Sequence, residues 1–297
     1  MVVFAVLFTL FMTMGLITYF KALELNDVRI RYDEICSQYR KDTLENKCVF
    51  EYTMPVSLTR PKIYYELENF YANHRKFVKS RSFKQLAGKD ASDLETSCTP
   101  ITTFWDLYDT MSKDKLQKLS LMTSADMNQY LSQQAYPCGL IGKYIFNDTY
   151  QIIKSVSRKV VKIDETNIAH DVDRNYRFKA RNKDSYIDIE NEHTMVWYQM
   201  ESFSNFIKLY GHINTQLKVN ETYIFIIEDN YQMDNFDGKK YIYLSEVNDF
   251  GGKNLFLGIA LLVMSGVVVI LMAVLTVCYC YKVKSKENYY DPDTLDW

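Results

Sequence analysis

The sequence has no large excess of positive or negative charge. Among its 297 residues, 35 lysine and arginine residues stand against 37 aspartate and glutamate residues, which leaves a net charge of -2. Proteins that bind nucleic acid hold its phosphates through a concentrated positive charge. The composition therefore predicts that nucleic acid is not a partner.

The sequence also lacks the short motifs that mark common active sites. It contains no Gly-x-Ser-x-Gly elbow, no Walker-type phosphate loop and no His-Glu-x-x-His zinc motif. Its four histidines are widely separated along the chain: His74, His170, His193 and His212. We therefore expect no catalytic site, no metal and no cofactor, and a lumenal enzyme has no motif to support it.

Two long runs without a charged residue are present, one at each end of the chain: Val2–Phe20 and Leu255–Cys278. A helix rises about 1.5 Å per residue, so each run can cross most or all of a hydrocarbon core about 30 Å thick. A cleaved signal peptide is the alternative for the first run. No basic residue precedes that run, and Tyr19-Phe20-Lys21 stands where a small-residue cleavage site would be, which favours a retained anchor.

Lysines follow the second run at positions 282, 284 and 286. Basic residues beside a spanning helix are normally retained on the cytoplasmic face. The sequence thus predicts a two-pass membrane protein with both termini in the cytoplasm. Its predicted parts are a transmembrane helix at 1–20, an exoplasmic domain at 21–254, a transmembrane helix at 255–281 and a cytoplasmic tail at 282–297.

Four of the six cysteines fall in the predicted exoplasmic domain: Cys36, Cys48, Cys98 and Cys138. An even count in an oxidising compartment indicates two disulfides, for which three pairings are possible and the sequential one is the simplest. A zinc site is the weaker alternative, because no Cys-x-x-Cys pair is present. Asn147 and Asn220 begin two glycosylation sequons in the same domain, in agreement with the topology.

Local patterns predict two helices and a hairpin in this domain. Three- and four-residue spacings predict one helix beginning near Pro61 and continuing to Arg81, and another from Val196 to Tyr210, ended by Gly211. Tyr223–Ile227 and Tyr241–Leu244 have strand composition, and Asp237-Gly238 between them is a favoured hairpin turn. Antiparallel sheet is therefore expected, whereas the polar stretch 151–190 has no clear order.

Two groups of residues are candidates for a partner interface. Gly258, Ser265 and Gly266 are small residues of the second span, where another helix could approach closely. Arg75 and Lys79 lie on the basic side of the first predicted helix, which is either a solvated face or a docking surface.

Several blocks of the chain closely resemble one known family. The longest is Tyr64-Tyr65-Glu66-Leu67-Glu68-Asn69-Phe70-Tyr71-Ala72-Asn73-His74-Arg75-Lys76-Phe77-Val78-Lys79-Ser80-Arg81, called here the hallmark segment. Further blocks follow in order: Pro137-Cys138-Gly139, Phe146-Asn147-Asp148-Thr149, Val196-Trp197, Phe236-Asp237-Gly238-Lys239-Lys240, and Gly251-Gly252-Lys253-Asn254 with Phe256-Leu257-Gly258-Ile259. These blocks resemble the cell-division-control-protein-50 family, also called ligand-effect modulators.

The resemblance implies an accessory beta subunit of type-IV P-type ATPases, which move phospholipids toward the cytoplasmic leaflet. It implies two transmembrane helices flanking a mainly antiparallel beta-sandwich ectodomain with helical insertions. It further implies the disulfides Cys36–Cys48 and Cys98–Cys138 and glycans on Asn147 and Asn220. The expected partners are the ATPase and membrane lipids, in the endoplasmic reticulum, Golgi, endosomes or plasma membrane.

The sequence departs from the family at three points. The usual cytoplasmic N-terminal tail is not seen before Val2, additional cysteines near the first pair are missing, and Leu255 stands where proline is common. The alternative function is a cell-surface receptor or adhesion protein with a ligand-binding ectodomain. The short tail after Tyr281 argues against signalling.

Overall fold

We analysed a computed structural model that describes residues 2–43, 46–89, 93–111, 113–180, 185–233 and 237–289. The chain divides into two compact units. Residues 1–26 and 245–297 form the membrane unit, and residues 27–244 form the ectodomain.

The helices are, in chain order, α1 (Val2–Leu23), α2 (Asp33–Thr43), α3 (Arg75–Lys79), α4 (Phe83–Leu86), α5 (Leu94–Ser97), α6 (Lys113–Ser120), α7 (Ser124–Leu131), α8 (Leu140–Lys143), α9 (Glu192–Trp197) and α10 (Phe256–Tyr289). A 3₁₀ helix covers Phe104–Thr110, and a π-helical turn covers Asp173–Arg177. The strands are β1 (Asp27–Arg31), β2 (Lys47–Thr53), β3 (Lys62–Glu68), β4 (Thr149–Lys154), β5 (Val160–Val161), β6 (Ile163–Asp164), β7 (Phe206–Ile213), β8 (Thr222–Glu228), β9 (Lys239–Ser245), β10 (Val247–Asn248) and β11 (Gly251–Gly252).

The membrane unit contains two helices that are long and apolar enough to cross a bilayer, Val2–Leu23 and Phe256–Lys284. With 22 residues, α1 is about 33 Å long, close to the thickness of a hydrocarbon core. Helix α10 begins one residue after the predicted start of the second span and continues past its predicted end at 281. The lysines at 282 and 284 therefore belong to the helix.

The ectodomain is a sandwich of two sheets. One sheet has five strands in the order β1-β9-β3-β7-β6, and the other has four in the order β2-β8-β4-β5. Strand β7 pairs antiparallel with β3 and β6, and β8 pairs antiparallel with β2 and β4. Mainly antiparallel sheet was the prediction, and it is confirmed.

A single hydrophobic core lies between the sheets. Ile63 and Leu67 of β3 and Ile242 of β9 come from the five-stranded sheet, while Ile152 of β4 and Phe225 of β8 come from the four-stranded one. All five side chains are completely buried. Alternate residues of β3 face this core because successive side chains of a strand point to opposite sides of the sheet.

The helical insertion lies between β3 and β4 and has a small core of its own. Leu94, Phe104, Leu107 and Leu131 are buried there around the Cys98–Cys138 disulfide. Such a bridge compensates for a core too small to stabilise several short helices alone.

The helix predicted from near Pro61 to Arg81 is wrong for most of its length. Lys62–Glu68 is strand β3, and only Arg75–Lys79 is helical. The three- and four-residue spacing extends across a strand, a turn and a short helix. The alternation of Ile63, Tyr65 and Leu67, which are all buried, is the pattern that the fold follows.

The second predicted helix is also wrong beyond Trp197. Helix α9 ends there, and Phe206–Ile213 is strand β7. Gly211 lies inside that strand and does not end a helix. A Cβ atom at Gly211 would approach Ile163 Cγ2 to 2.6 Å, so glycine lets β6 lie close to β7.

The predicted hairpin is wrong, although both of its strands are present. Strand β8 belongs to the four-stranded sheet and β9 to the five-stranded sheet, so the segment between Glu228 and Lys239 connects the two sheets and does not form a hairpin. The stretch 151–190, which could not be ordered, contributes most of β4, the short strands β5 and β6, and the π-helical turn.

Candidate partner-binding site

Aromatic side chains bring three blocks of the family resemblance together. The ring centroids of Phe70, in the hallmark segment, and Trp197 are 5.6 Å apart. Phe146 stacks on Tyr65 with a centroid distance of 4.0 Å. The indole Nε1 of Trp197 donates to the carbonyl of Ile141 at 2.9 Å, which satisfies the polar atom that a buried tryptophan carries.

A buried ionic cluster joins the two sheets beside these rings. Lys240 Nζ of β9 donates to Asp148 Oδ2 at 2.7 Å, to Asp229, and to the carbonyl of Tyr231 at 2.5 Å. Asp148 precedes β4 and Asp229 follows β8, so both carboxylates come from the opposite sheet. Their side chains are 0% and 2% exposed, and that of Lys240 is 3% exposed.

The cluster balances two basic groups with two acidic ones. Arg40 donates to Asp229, and the hydroxyl of Tyr32 donates to Asp148 Oδ2 at 2.7 Å. Burial lowers the pKa of Lys240, and the charge of Asp148 opposes that shift. Burial also raises the pKa of Tyr32 well above its ordinary value, so its hydroxyl keeps the proton that it donates.

The Cys98–Cys138 disulfide is tied to the end of the hallmark segment. Ser80 Oγ donates to the carbonyl of Cys98 at 2.9 Å and accepts from the backbone N–H of Leu140 at 2.9 Å. Gln85 Oε1 accepts from the backbone N–H of Cys138 at 2.9 Å. The two bonds of Ser80 tie the end of the hallmark segment to Cys98 and Leu140, and the Gln85 bond holds Cys138.

A cleft of about 1120 Å³ opens beside this region of the ectodomain. The hallmark segment forms one side of it, with Tyr71 and Lys76. Lys143, Tyr144 and Asn147 also line it. The other lining residues are Asn69, Phe70, His74, Phe77, Asp109, Thr110, Met111, Lys115, Leu140, Ile145, Tyr186, Ile187, Asn230, Tyr231 and Gln232.

The structure contains two disulfides, Cys36–Cys48 and Cys98–Cys138, which are the same two pairs that the resemblance implied. Cys278 and Cys280 are free and exposed on α10. Asn147 and Asn220 are both exposed. Within the ranges that the structure describes, no group of three or more His, Cys, Asp and Glu side chains is placed to hold a metal ion.

The residues predicted as a partner interface have different surroundings. Arg75 and Lys79 are exposed on the short helix α3. In the membrane unit, Gly258 and Ser265 face α1: a Cβ atom at Gly258 would lie 2.8 Å from Tyr19 Cα, and Ser265 Oγ is 3.7 Å from Met12 Sδ. A Cβ atom at Gly266 would meet nothing within 4 Å.

Gly258 and Gly266 therefore make a matched pair for testing the helix contact. Gly258→Val is expected to separate α1 from α10 because the added side chain meets the backbone of Tyr19. Gly266→Val adds the same volume where space is open. Disulfide crosslinking between cysteines introduced at Met12 and Ser265 measures the contact: we expect loss of crosslinking for Gly258→Val and no change for Gly266→Val. Equal crosslinking in both variants would contradict the observed packing.

Sequence reasoning missed the ionic cluster of Asp148, Asp229 and Lys240. Asp148 and Lys240 both lie in blocks that carry the family resemblance. Asp148 is the middle residue of the Asn147 sequon, and Lys240 follows the predicted turn Asp237-Gly238. Their charge, inside blocks that contain no catalytic motif, is the signal that could have indicated a structural ion pair.

Two apolar helices and the disulfide-bonded β-sandwich between them define a two-pass membrane protein with a folded extramembrane domain. The chain belongs to the LEM3 (ligand-effect modulator 3) family / CDC50 family, whose sequence profile matches residues 18–285.

Curated relatives agree with this assignment. The chain is 28% identical to "ALA-interacting subunit 3" of Arabidopsis thaliana over an alignment of 320 positions, gaps included, which covers 99% of this chain and 83% of that protein. It is 29% identical to "Cell cycle control protein 50A" of Bos taurus, covering 82% of this chain and 71% of the relative. It is 26% identical to "Phospholipid-transporting ATPase accessory subunit CDC50" of Chaetomium thermophilum, covering 75% of this chain and 58% of the relative.

Proposed function

We propose that this chain is the non-catalytic accessory subunit of a type-IV, phospholipid-translocating P-type ATPase. The observation that carries the proposal is the family match, which extends over residues 18–285 and so includes the end of α1, the whole ectodomain and most of α10. One relative is named as an accessory subunit of a phospholipid-transporting ATPase. The absence of catalytic motifs in the sequence agrees with a supporting role.

In the proposed complex, α1 and α10 pack together and α10 offers an outer face to the ATPase. That face is apolar and exposed at Val263, Ile270 and Val277, and Gly266 leaves room for a close approach. Helices in a bilayer associate by packing of small residues, not by burial of apolar surface from water. Gly258 and Ser265 support the α1 contact, while Gly266 is the position available to a partner.

The ectodomain would cover the exoplasmic loops of the ATPase, with Arg75 and Lys79 of α3 at the contact. Binding that favours the folded ATPase over the unfolded one stabilises it by mass action, and export from the endoplasmic reticulum follows. Binding that differs among conformations of the transport cycle shifts their populations. The disulfides and the ionic cluster stabilise the ectodomain that would make these contacts.

The proposal includes the topology of the chain. Both termini lie in the cytoplasm, because Lys282 and Lys284 follow the apolar part of α10. Residues 21–254 are then exoplasmic, and Asn147 and Asn220 carry N-linked glycans. The membranes are those of the endoplasmic reticulum, Golgi, endosomes or cell surface.

Affinity purification of the full chain in mild detergent tests the assignment. We expect a P-type ATPase to co-purify and expect depletion of the chain to abolish uptake of a labelled phospholipid. Arg75→Glu with Lys79→Glu should reduce ATPase recovery severalfold, because close charged pairs at an interface contribute on the order of 1 kcal/mol or more.

The matched control is Lys159→Glu with Lys162→Glu, the same charge reversal at two exposed lysines distant in sequence from α3. We expect it to leave ATPase recovery unchanged. Repeated purification without any ATPase, or lipid uptake that persists after depletion of the chain, would contradict the proposed function and favour a receptor or adhesion role.

A further inference from the structure

The chain around Asn147 is held in place while its side chain stays exposed. Phe146, before it, stacks on Tyr65, and Asp148, after it, is buried in the ionic cluster. The carbonyl of Asn147 itself accepts a hydrogen bond from Asn230 Nδ2 at 3.2 Å. A group attached to the Asn147 side chain would therefore start from a fixed point.

That fixed point lies on the wall of the 1120 Å³ cleft. Small-molecule sites usually have volumes of about 300–1000 Å³, so this cleft has room for a ligand of several rings. The cleft is open to solvent, so the first saccharides attached to Asn147 can lie inside it while the outer saccharides extend into solvent.

The cleft wall has the chemistry that binds carbohydrate. Tyr71 and Tyr144 are 65% and 44% exposed, and exposed tyrosine rings are surfaces on which the apolar face of a sugar can stack. Lys143 Nζ lies over one face of the Tyr144 ring, 6.0 Å from its centroid. Asn69, Asn230 and Gln232 also line the cleft. Each side-chain amide already donates once within the protein, to the carbonyls of Asp237, Asn147 and Asp229, and its second N–H can donate to a sugar hydroxyl. Apolar rings with a few polar groups around them are the usual composition of such sites.

We propose that the inner saccharides of an N-linked glycan on Asn147 fold back into this cleft and pack on Tyr71 and Tyr144. The inference relies on the exoplasmic topology of the proposed function. The contacts need only be weak, because attachment at the cleft wall gives the sugar an effective concentration in the millimolar range. The glycan then covers the exposed ring of Tyr71 in the hallmark segment.

Asn220 supplies an internal control in the same chain. It is exposed, lies in a turn with φ of 58°, and is not part of the cleft wall. Its neighbours Lys218 and Val219 are exposed as well. A glycan on Asn220 therefore starts outside the cleft.

Native deglycosylation measures the contact. The folded, full-length glycoprotein is treated with peptide:N-glycosidase in ¹⁸O water, and mass spectrometry of peptides follows conversion of Asn147 and Asn220 to aspartate. We expect release at Asn147 to be about tenfold slower than at Asn220, which corresponds to about 1.4 kcal/mol of contact with the cleft. After denaturation the two rates should be equal.

Two variants separate binding from restricted access. Tyr71→Ala with Tyr144→Ala is expected to raise the release rate at Asn147 to that at Asn220, with an unchanged unfolding temperature. Tyr176→Ala removes a tyrosine that is 74% exposed and lies outside the cleft, and it should change neither rate.

Equal release at the two sites of the folded wild type, slow release that the double variant does not change, or a glycan on Asn220 alone would each overturn the inference. Absence of glycans at both sites would also overturn it, because no sugar would then be present to enter the cleft. Failure to co-purify an ATPase would leave the release rates unaffected, so the two proposals fail on different observations.

Discussion

Replacing Lys240 with methionine is expected to lower the free energy of unfolding of the ectodomain by about 3–5 kcal/mol, because it leaves the buried carboxylate of Asp148 without its cation and Asp229 with Arg40 alone. Asp148 and Asp229 are 0% and 2% exposed, so water cannot take the place of the ammonium group. For a domain of this size, 1 kcal/mol corresponds to about 2–4 °C, so the unfolding temperature should fall by roughly 6–20 °C. Thermal unfolding of the purified full chain measures the change.

Lys239→Met is the matched control. Lys239 precedes Lys240 in the same strand, but its side chain is 42% exposed and its Nζ lies 3.8 Å from Glu68. Exposed ion pairs contribute about 0–1 kcal/mol, so the unfolding temperature should fall by a few degrees at most. Similar losses in both variants would show that the buried cluster has no special role in joining the sheets.

Asp148→Asn tests the cluster from the other side and keeps the sequon intact. We expect a loss similar to that of Lys240→Met. The two effects should combine to less than their sum, since both remove the same ion pair. If the losses add fully, the two residues stabilise the fold independently.

The parts of the fold that the sequence predicts are those whose local composition fits only one secondary structure. Nineteen uncharged residues from Val2 to Phe20 have little alternative to a spanning helix or a signal peptide, and α1 covers this stretch. The strand composition of Tyr223–Ile227 and Tyr241–Leu244 likewise predicts β8 and β9. In each case the local sequence is sufficient.

The failures come from contacts that local sequence does not contain. Asp237-Gly238 predicts a turn, but nothing near it shows that the chain passes from one sheet to the other. The pairing of Asp148 with Lys240 depends on which strands lie opposite across the core, 92 residues apart in sequence. The residues from Pro61 to Arg81 fit a helical spacing by coincidence, because pairing of β3 with β7 decides their structure.

Gly139→Ala is expected to be the most damaging change of a single methyl group in the ectodomain. Gly139 has φ of 98°, and a Cβ atom there would lie 2.1 Å from the carbonyl oxygen and 2.5 Å from the carbonyl carbon of Ser80. Backbone in this region costs a residue with a side chain about 1–3 kcal/mol, and overpacking adds about 1–3 kcal/mol. The contact cannot be relieved by a rotamer change, because the atoms that it meets belong to backbone.

The damage should extend to the neighbouring disulfide. Moving Ser80 away from Gly139 breaks the hydrogen bonds from Ser80 Oγ to the Cys98 carbonyl and from Leu140 N–H to Ser80 Oγ, which hold the bridge to the hallmark segment. We expect Gly139→Ala to lower the unfolding temperature of the full chain. A fraction of the molecules should also have reactive thiols at Cys98 and Cys138, detected by alkylation and mass spectrometry.

Gly251→Ala separates backbone strain from the steric clash. Gly251 has φ of 108°, similar to Gly139, but a Cβ atom there would meet nothing within 4 Å. Its substitution should cost only the backbone term of about 1–3 kcal/mol and leave Cys98 and Cys138 unreactive. If Gly139→Ala is no more damaging than Gly251→Ala, the close approach of Ser80 does not constrain the fold. If only Gly139→Ala exposes thiols, that approach is what requires glycine after Cys138.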